Sequence, residues 1–278
     1  MSWGKRKEKS KYISYFNLWD ALGQPGCPVC SLAERNSFRF LDALLYERVN
    51  DVGTREELRK SLGFCNWHAW KSLEVQNCPL GLGIIYNDML ERIQERLAKV
   101  QHSIPVFIPF IRRLLPRGKV KNSNRLLRPS HSCPVCQSVR FFEETNLGIL
   151  LDFIFERDFE RQFSGSAGIC FPHLIIAIEK FPGHENLPLL IERQMKKYES
   201  LQGEVSEFIR KHDYQYAHEP RGAESDSWKR ALEMVVGKRE IFPSQMDRRA
   251  KEEEAPSEKE ITEEVWEGVE KLNSKTRN

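Results

Sequence analysis

The chain has 278 residues, of which 40% are hydrophobic and 30% charged, and a formal net charge of +3. That length can bury a sizeable core, in one large domain or two small ones. The charge is too small to imply a nucleic-acid partner by itself. No apolar run nears the ~20 residues that span a bilayer, so no membrane segment is expected.

An N-terminal arm, residues 1–11, is basic and lacks the apolar stretch of a secretory signal, which points to the cytoplasm. Residues 12–22 form a short apolar-faced helix stopped by Gly23 and Pro25. Cys27-Pro28-Val29-Cys30 follows, with the proline placed to open a helix over 28–50. A helix over 54–62 is expected, with Thr54 as N-cap and Glu57 completing a capping box. Gly63 ends it, and a new helix starts near Cys65-Asn66-Trp67-His68. A longer helix covers 82–102.

Residues 105–132 read as a proline-containing basic connector, with seven Lys or Arg between 112 and 128 and no acidic residue. The same pattern then returns. Cys133-Pro134-Val135-Cys136 opens a helix over 134–163, Gly168 precedes Cys170-Phe171-Pro172-His173, and a long helix covers 185–212. A last helix, 224–236, is closed by Gly237. Trp67, Trp70 and Trp228 are expected to pack in the core or between helices. Residues 238–278 are charge-rich and poor in apolar groups, which predicts a disordered tail. Within it, 258–273 carries a narrow stripe (Ile261, Val265, Val269, Leu272) that suits a helix formed against a protein partner.

The recurrence extends beyond the cysteines. Leu41, Leu44 and Leu45 match Leu147, Leu150 and Leu151 at an offset of 106, and Gly63, Cys65, His68 and Glu74 match Gly168, Cys170, His173 and Glu179 at 105. This marks a duplication. The expected fold is an all-α, duplicated helical domain with pseudo-twofold architecture, its repeats at 12–104 and 133–237.

Each repeat offers three thiols and an imidazole in two pairs, the ligand set of a closed tetrahedral zinc site. A two-residue gap lets both side chains of a pair face one ion, and a helix N-terminus favours thiolate over thiol. Six of the seven cysteines lie in these motifs, and in a reducing compartment that usage points to metal or redox chemistry over disulfides. The expected ligands are Cys27, Cys30, Cys65, His68, Cys133, Cys136, Cys170 and His173, holding two Zn²⁺ per chain. Pairing within each repeat is the simpler assignment, and pairing across repeats stays open. An iron–sulfur cluster is the competing metal reading. A c-type haem is excluded, because Ser31 and Gln137 follow the C-x-x-C pairs.

The competing chemistry is thiol redox. C-P-V-C resembles the dithiol of disulfide oxidoreductases, but those follow a strand in an α/β fold, and no strand pattern occurs here. Helical peroxidase-partner proteins related to carboxymuconolactone decarboxylases also use C-x-x-C, with a histidine where this chain has Glu34. Among weaker signals, Cys78 reads as a small buried residue and His131 as a surface histidine. The residues from His212 to Glu219 read as a hydrogen-bonded loop. The basic connector reads as solvated linker before phosphate grip.

With these residues in view, the chain resembles an uncharacterised prokaryotic family, one of the domains of unknown function. That family carries C-P-x-C and G-[FI]-C-x-x-H blocks in tandem, here Cys27–Cys30, Gly63–His68, Cys133–Cys136 and Gly168–His173. Segments like Leu80–Tyr86 and Glu219–Ala231 also match, over residues 12–237 in all. The resemblance implies a family unit with metal-type ligands and supplies no activity. A binding or regulatory scaffold is therefore expected ahead of an enzyme.

Overall fold

A computed structural model describes residues 10–76, 78–103, 127–216, 218–239 and 241–242. Most of the basic connector, and the tail from 243 with its 258–273 stripe, lie outside them. Among the described residues there are ten α-helices and no strand. They are α1 (Ile13–Leu22), α2 (Pro28–Glu47), α3 (Val52–Ser61), α4 (Asn66–Lys71), α5 (Pro79–Ser103), α6 (Pro134–Phe153), α7 (Arg157–Gly165), α8 (Phe171–Lys180), α9 (Leu187–Arg210) and α10 (Ser227–Val236). The all-α expectation is borne out.

Three local expectations need correction. The cap of α3 is Asp51, whose carboxylate accepts from Thr54 N at 2.7 Å, so the helix begins before Thr54. A short acid at N-cap bonds the N3 amide directly, which leaves Thr54 free to be helical. The helix expected over 134–163 is two, α6 and α7, with Glu156 extended between them. The break lets Phe159 and Phe163, both fully buried, fold back into the core. Trp70 and Trp228 are 67% and 49% exposed, so neither is a core residue.

The chain forms two compact units. One combines the residues up to Ser37 with Ser138–Phe242, and the other comprises Phe38–Gln137. They are called the outer and inner units, after their order in sequence. Both boundaries fall inside a helix, α2 and α6, so the compact units do not follow the sequence repeats.

The outer unit is built on the apolar stripe of α6 (Leu147, Leu150, Leu151, Ile154) together with Tyr15, Leu18 and Leu22 of α1, and Leu190 of α9. Helix α1 packs on α7. The Tyr15 ring meets the edge of Phe153 at 4.7 Å and tilts against Phe159 at 5.6 Å. The inner unit buries Leu41, Leu44 and Leu45 of α2, Leu58 of α3, and Ile85 and Met89 of α5. Helix α3 is fixed to α5 by Asp88, which takes Arg55 at 2.6 Å and Arg59 at 2.9 Å. Gly81 lets α5 approach the end of α2, since a Cβ there would sit 3.0 Å from the Leu45 carbonyl oxygen.

Candidate metal centres

The four ligand pairs take equivalent places at four helix starts. Cys65 and Cys170 are the N-caps of α4 and α8. Cys27 and Cys133 directly precede α2 and α6, and their carbonyls accept from Ser31 N and Gln137 N at 3.1 and 3.0 Å. The second member of each pair is therefore at the third helical position. N-cap and N3 are the two residues whose side chains meet in a capping box. Here the same geometry aims two donors at one point. Gly63 and Gly168, with φ of 87° and 82°, make the turn that delivers each Cys-x-x-His. That left-handed backbone disfavours any residue with a Cβ.

The donors meet in two groups, each with its atoms within 4.8 Å of one another. Cys27, Cys30, Cys170 and His173 form the outer group, and Cys65, His68, Cys133 and Cys136 form the inner one. Each group thus joins the C-P-V-C of one repeat to the C-x-x-H of the other. Pairing within a repeat, the simpler assignment from sequence, is not what the fold makes. His131 stands outside both groups, exposed and bonded to Ser130 Oγ at 3.1 Å.

The separations fit a tetrahedral ion. Bonds of ~2.3 Å to sulfur and ~2.0 Å to nitrogen imply tetrahedral edges of roughly 3.8 Å between sulfurs and roughly 3.5 Å from sulfur to nitrogen. In the outer group, Cys30 and Cys170 sulfurs are 3.6 Å apart, and His173 Nδ1 lies 3.5, 3.5 and 3.1 Å from Cys27, Cys30 and Cys170. In the inner group, Cys65 and Cys136 sulfurs are 3.6 Å apart, and His68 Nδ1 lies 3.2, 3.7 and 3.3 Å from Cys65, Cys133 and Cys136. A disulfide needs ~2.05 Å, and all seven cysteines are free thiols.

The electrostatics point the same way. Hydrogen bonds from Cys136 and Cys65 pull Cys133 down to about 3, while its bonds with Cys133 and Cys65 hold Cys136 far above the ordinary thiol value. In the outer group burial opposes ionisation of Cys27, yet bonds from Cys170, Cys30 and His173 bring it well below that value. Bonds with Cys27 and Cys30 push Cys170 up. Three sulfurs this close can share one negative charge but cannot each carry one unless a cation sits among them. With a divalent ion the site would hold three thiolates at a net charge of −1, which two helix N-termini favour.

One functional residue escaped the sequence reading. Glu143 of α6, 6% exposed, places Oε1 3.2 Å from His173 Nε2. A carboxylate on the far nitrogen orients the ring so that Nδ1 faces the ion, and raises its basicity as a ligand. Burial opposes protonation of His173, but bonds from Cys27, Cys30 and Glu143 outweigh it and raise the imidazole well above its usual value. The signal was present: Glu143, Leu147 and Leu150 lie at i, i+4 and i+7, so a carboxylate stands in an apolar stripe.

The chain after α10 also belongs to the outer group. Lys238 N donates to Cys30 Sγ at 3.4 Å, Lys238 Nζ pairs with Glu34 at 2.5 Å, and the Phe242 ring lies 4.9 Å from the His173 ring. Lys238 and Phe242, expected in the charged tail, therefore lie against the outer group. Gly237, at φ 81°, turns the chain there, and a Cβ would lie 2.2 Å from the Phe242 ring.

Outside the two groups, the charged side chains of the 212–219 loop and of the cavity beside α9 have partners. His212 bonds the Phe208 carbonyl, and Glu219 pairs with Arg210, as expected for a loop. A cavity of about 400 Å³ beside α9 is lined by Arg193, Lys196 and Arg230, each paired to a carboxylate: Glu160, Glu192 and Glu204. Among the described residues, no helix is long and apolar enough to cross a membrane.

A family of unknown function, DUF6062, matches residues 9–241. The chain belongs to that family. The match takes in Lys238, which bonds Cys30, and ends one residue short of Phe242. A curated relative, the "Uncharacterized 23.9 kDa protein in xynA 3'region" of Caldicellulosiruptor sp. (strain Rt8B.4), is 30% identical over 213 residues. That alignment covers 76% of this chain and 95% of the relative. No solved structure matches.

Proposed function

We propose that this family member is a zinc protein, with one Zn²⁺ in each Cys3His group, acting as a binding or regulatory scaffold of the cytoplasm and not as an enzyme. The observation that carries the reading is that four protein donors close each group at tetrahedral spacing. A catalytic zinc keeps a position for water or substrate, and neither donor set leaves one. The ions would then serve to stabilise. Binding free energy of ~10 kcal/mol per site equals the whole net stability of a typical domain. The stripe at 258–273 offers a place for a protein partner.

The test is anaerobic purification followed by metal analysis and a visible spectrum. Two colourless zinc ions per chain are expected. A brown chromophore with iron would replace zinc by an iron–sulfur cluster. Metal-free protein with a cycling Cys27–Cys30 disulfide would replace the scaffold by a thiol-redox enzyme.

A further inference from the structure

The two groups share a donor set but not their surroundings. In the outer group Cys27, Cys30, Cys170 and His173 are each no more than 1% exposed. Glu143 holds His173, the Lys238 amide bonds Cys30, and Phe242 covers the imidazole. In the inner group Cys65 and Cys136 are only half-buried. Among the described residues, His68 Nε2 has no hydrogen-bond partner, while the Cys65 and Cys136 amides bond the Cys133 sulfur. The Tyr86 hydroxyl, buried in the same unit, is also without a partner.

The difference in exposure and the Glu143 bond on His173 act on metal retention in one direction. A competing chelator must reach a ligand sulfur before it can displace it, and only the inner group has ligand cysteines that are partly exposed. Loss of a partner on the second histidine nitrogen weakens metal affinity by ~10–100-fold.

We propose that the two centres have different jobs: the outer one keeps its ion for the life of the protein, and the inner one exchanges zinc with solution. The order of the inner unit's described residues then follows the free zinc concentration. This rests on the zinc reading above.

The test uses the full chain. Zinc content is measured first. The protein is then mixed with excess 4-(2-pyridylazo)resorcinol and N-ethylmaleimide, release is followed by absorbance, and labelled cysteines are mapped by peptide mass spectrometry over time. The expected result is two phases of one equivalent each, separated at least ~10-fold in rate. Cys65, Cys133 and Cys136 are modified in the fast phase, and Cys27, Cys30 and Cys170 in the slow one. Glu143→Gln, a near-isosteric change, speeds the slow phase and leaves the fast one alone. Release of both equivalents at one rate, or earlier labelling of the outer cysteines, overturns the division of roles while leaving the zinc reading intact. A chain without two zinc ions removes the zinc reading itself, and the division with it.

Discussion

Two fourfold variants decide the across-repeat pairing by opposite outcomes. Variant one removes Cys27, Cys30, Cys65 and His68 (Cys→Ser, His→Ala), all from the first repeat. Variant two removes Cys27, Cys30, Cys170 and His173, all from the outer group. With the observed pairing, variant one leaves each centre two donors and variant two leaves the inner centre complete. Losing a site forfeits ~10 kcal/mol or more of coupled binding and folding, against a net stability of ~5–15 kcal/mol for a domain. A unit with half its donors should therefore neither hold zinc nor stay folded at neutral pH. Native mass spectrometry under reducing conditions is expected to give zero zinc for variant one and one for variant two. The reverse result, one and zero, would refute the pairing and the compact units drawn from it.

Asp88→Asn should destabilise the inner unit by about 2 kcal/mol, because Arg55 and Arg59 lose a charged acceptor, and chemical denaturation measures it. Burial raises the Asp88 carboxyl, but the Arg59 and Arg55 bonds outweigh it and leave it below its ordinary value of 3.8. The contribution is therefore whole above the unfolded-state value and fades as pH falls through the lower folded one. The difference between the two proteins should be constant from pH 5 to 7 and shrink below ~4. Gly168→Ala should cost about 2–4 kcal/mol, since it adds left-handed strain and drives a Cβ to 2.5 Å from Gln194 Oε1, which accepts from Ile169 N. Thermal melting with zinc counting should show the outer ion leaving at lower temperature. Phe159→Ala should cost ~3–5 kcal/mol as a cavity in the outer core, with the inner ion retained.

The helices and the donors were legible in the sequence because both are local. Leu41–Leu44–Leu45 and Leu147–Leu150–Leu151 mark buried helix faces by spacing alone, and Pro28 and Pro134 mark helix starts. The partnership of the pairs was not legible, and a magnitude shows why. Closing Cys30 to Cys170, 140 residues away, costs only ~1.2 kcal/mol more chain entropy than closing it to Cys65. Against metal binding of ~10 kcal/mol that difference selects nothing, and helix packing decides instead. The break at Glu156 was missed for a related reason. Phe159 and Phe163 continue a helical period, so only their burial against α1 reveals that the axis has turned.

Because the inner ligands (65, 68, 133, 136) lie between the outer ones (27, 30, 170, 173), the two closures are nested like brackets. During synthesis the inner bracket has all its donors once residue 136 leaves the ribosome, while Cys27 and Cys30 wait for His173. The N-terminal thiols thus spend the longest time unpartnered, although in the finished fold they are among the least exposed sulfurs. A nascent chain stalled after the inner donors have emerged and before residue 170 should bind a single zinc, with Cys27 and Cys30 open to alkylation.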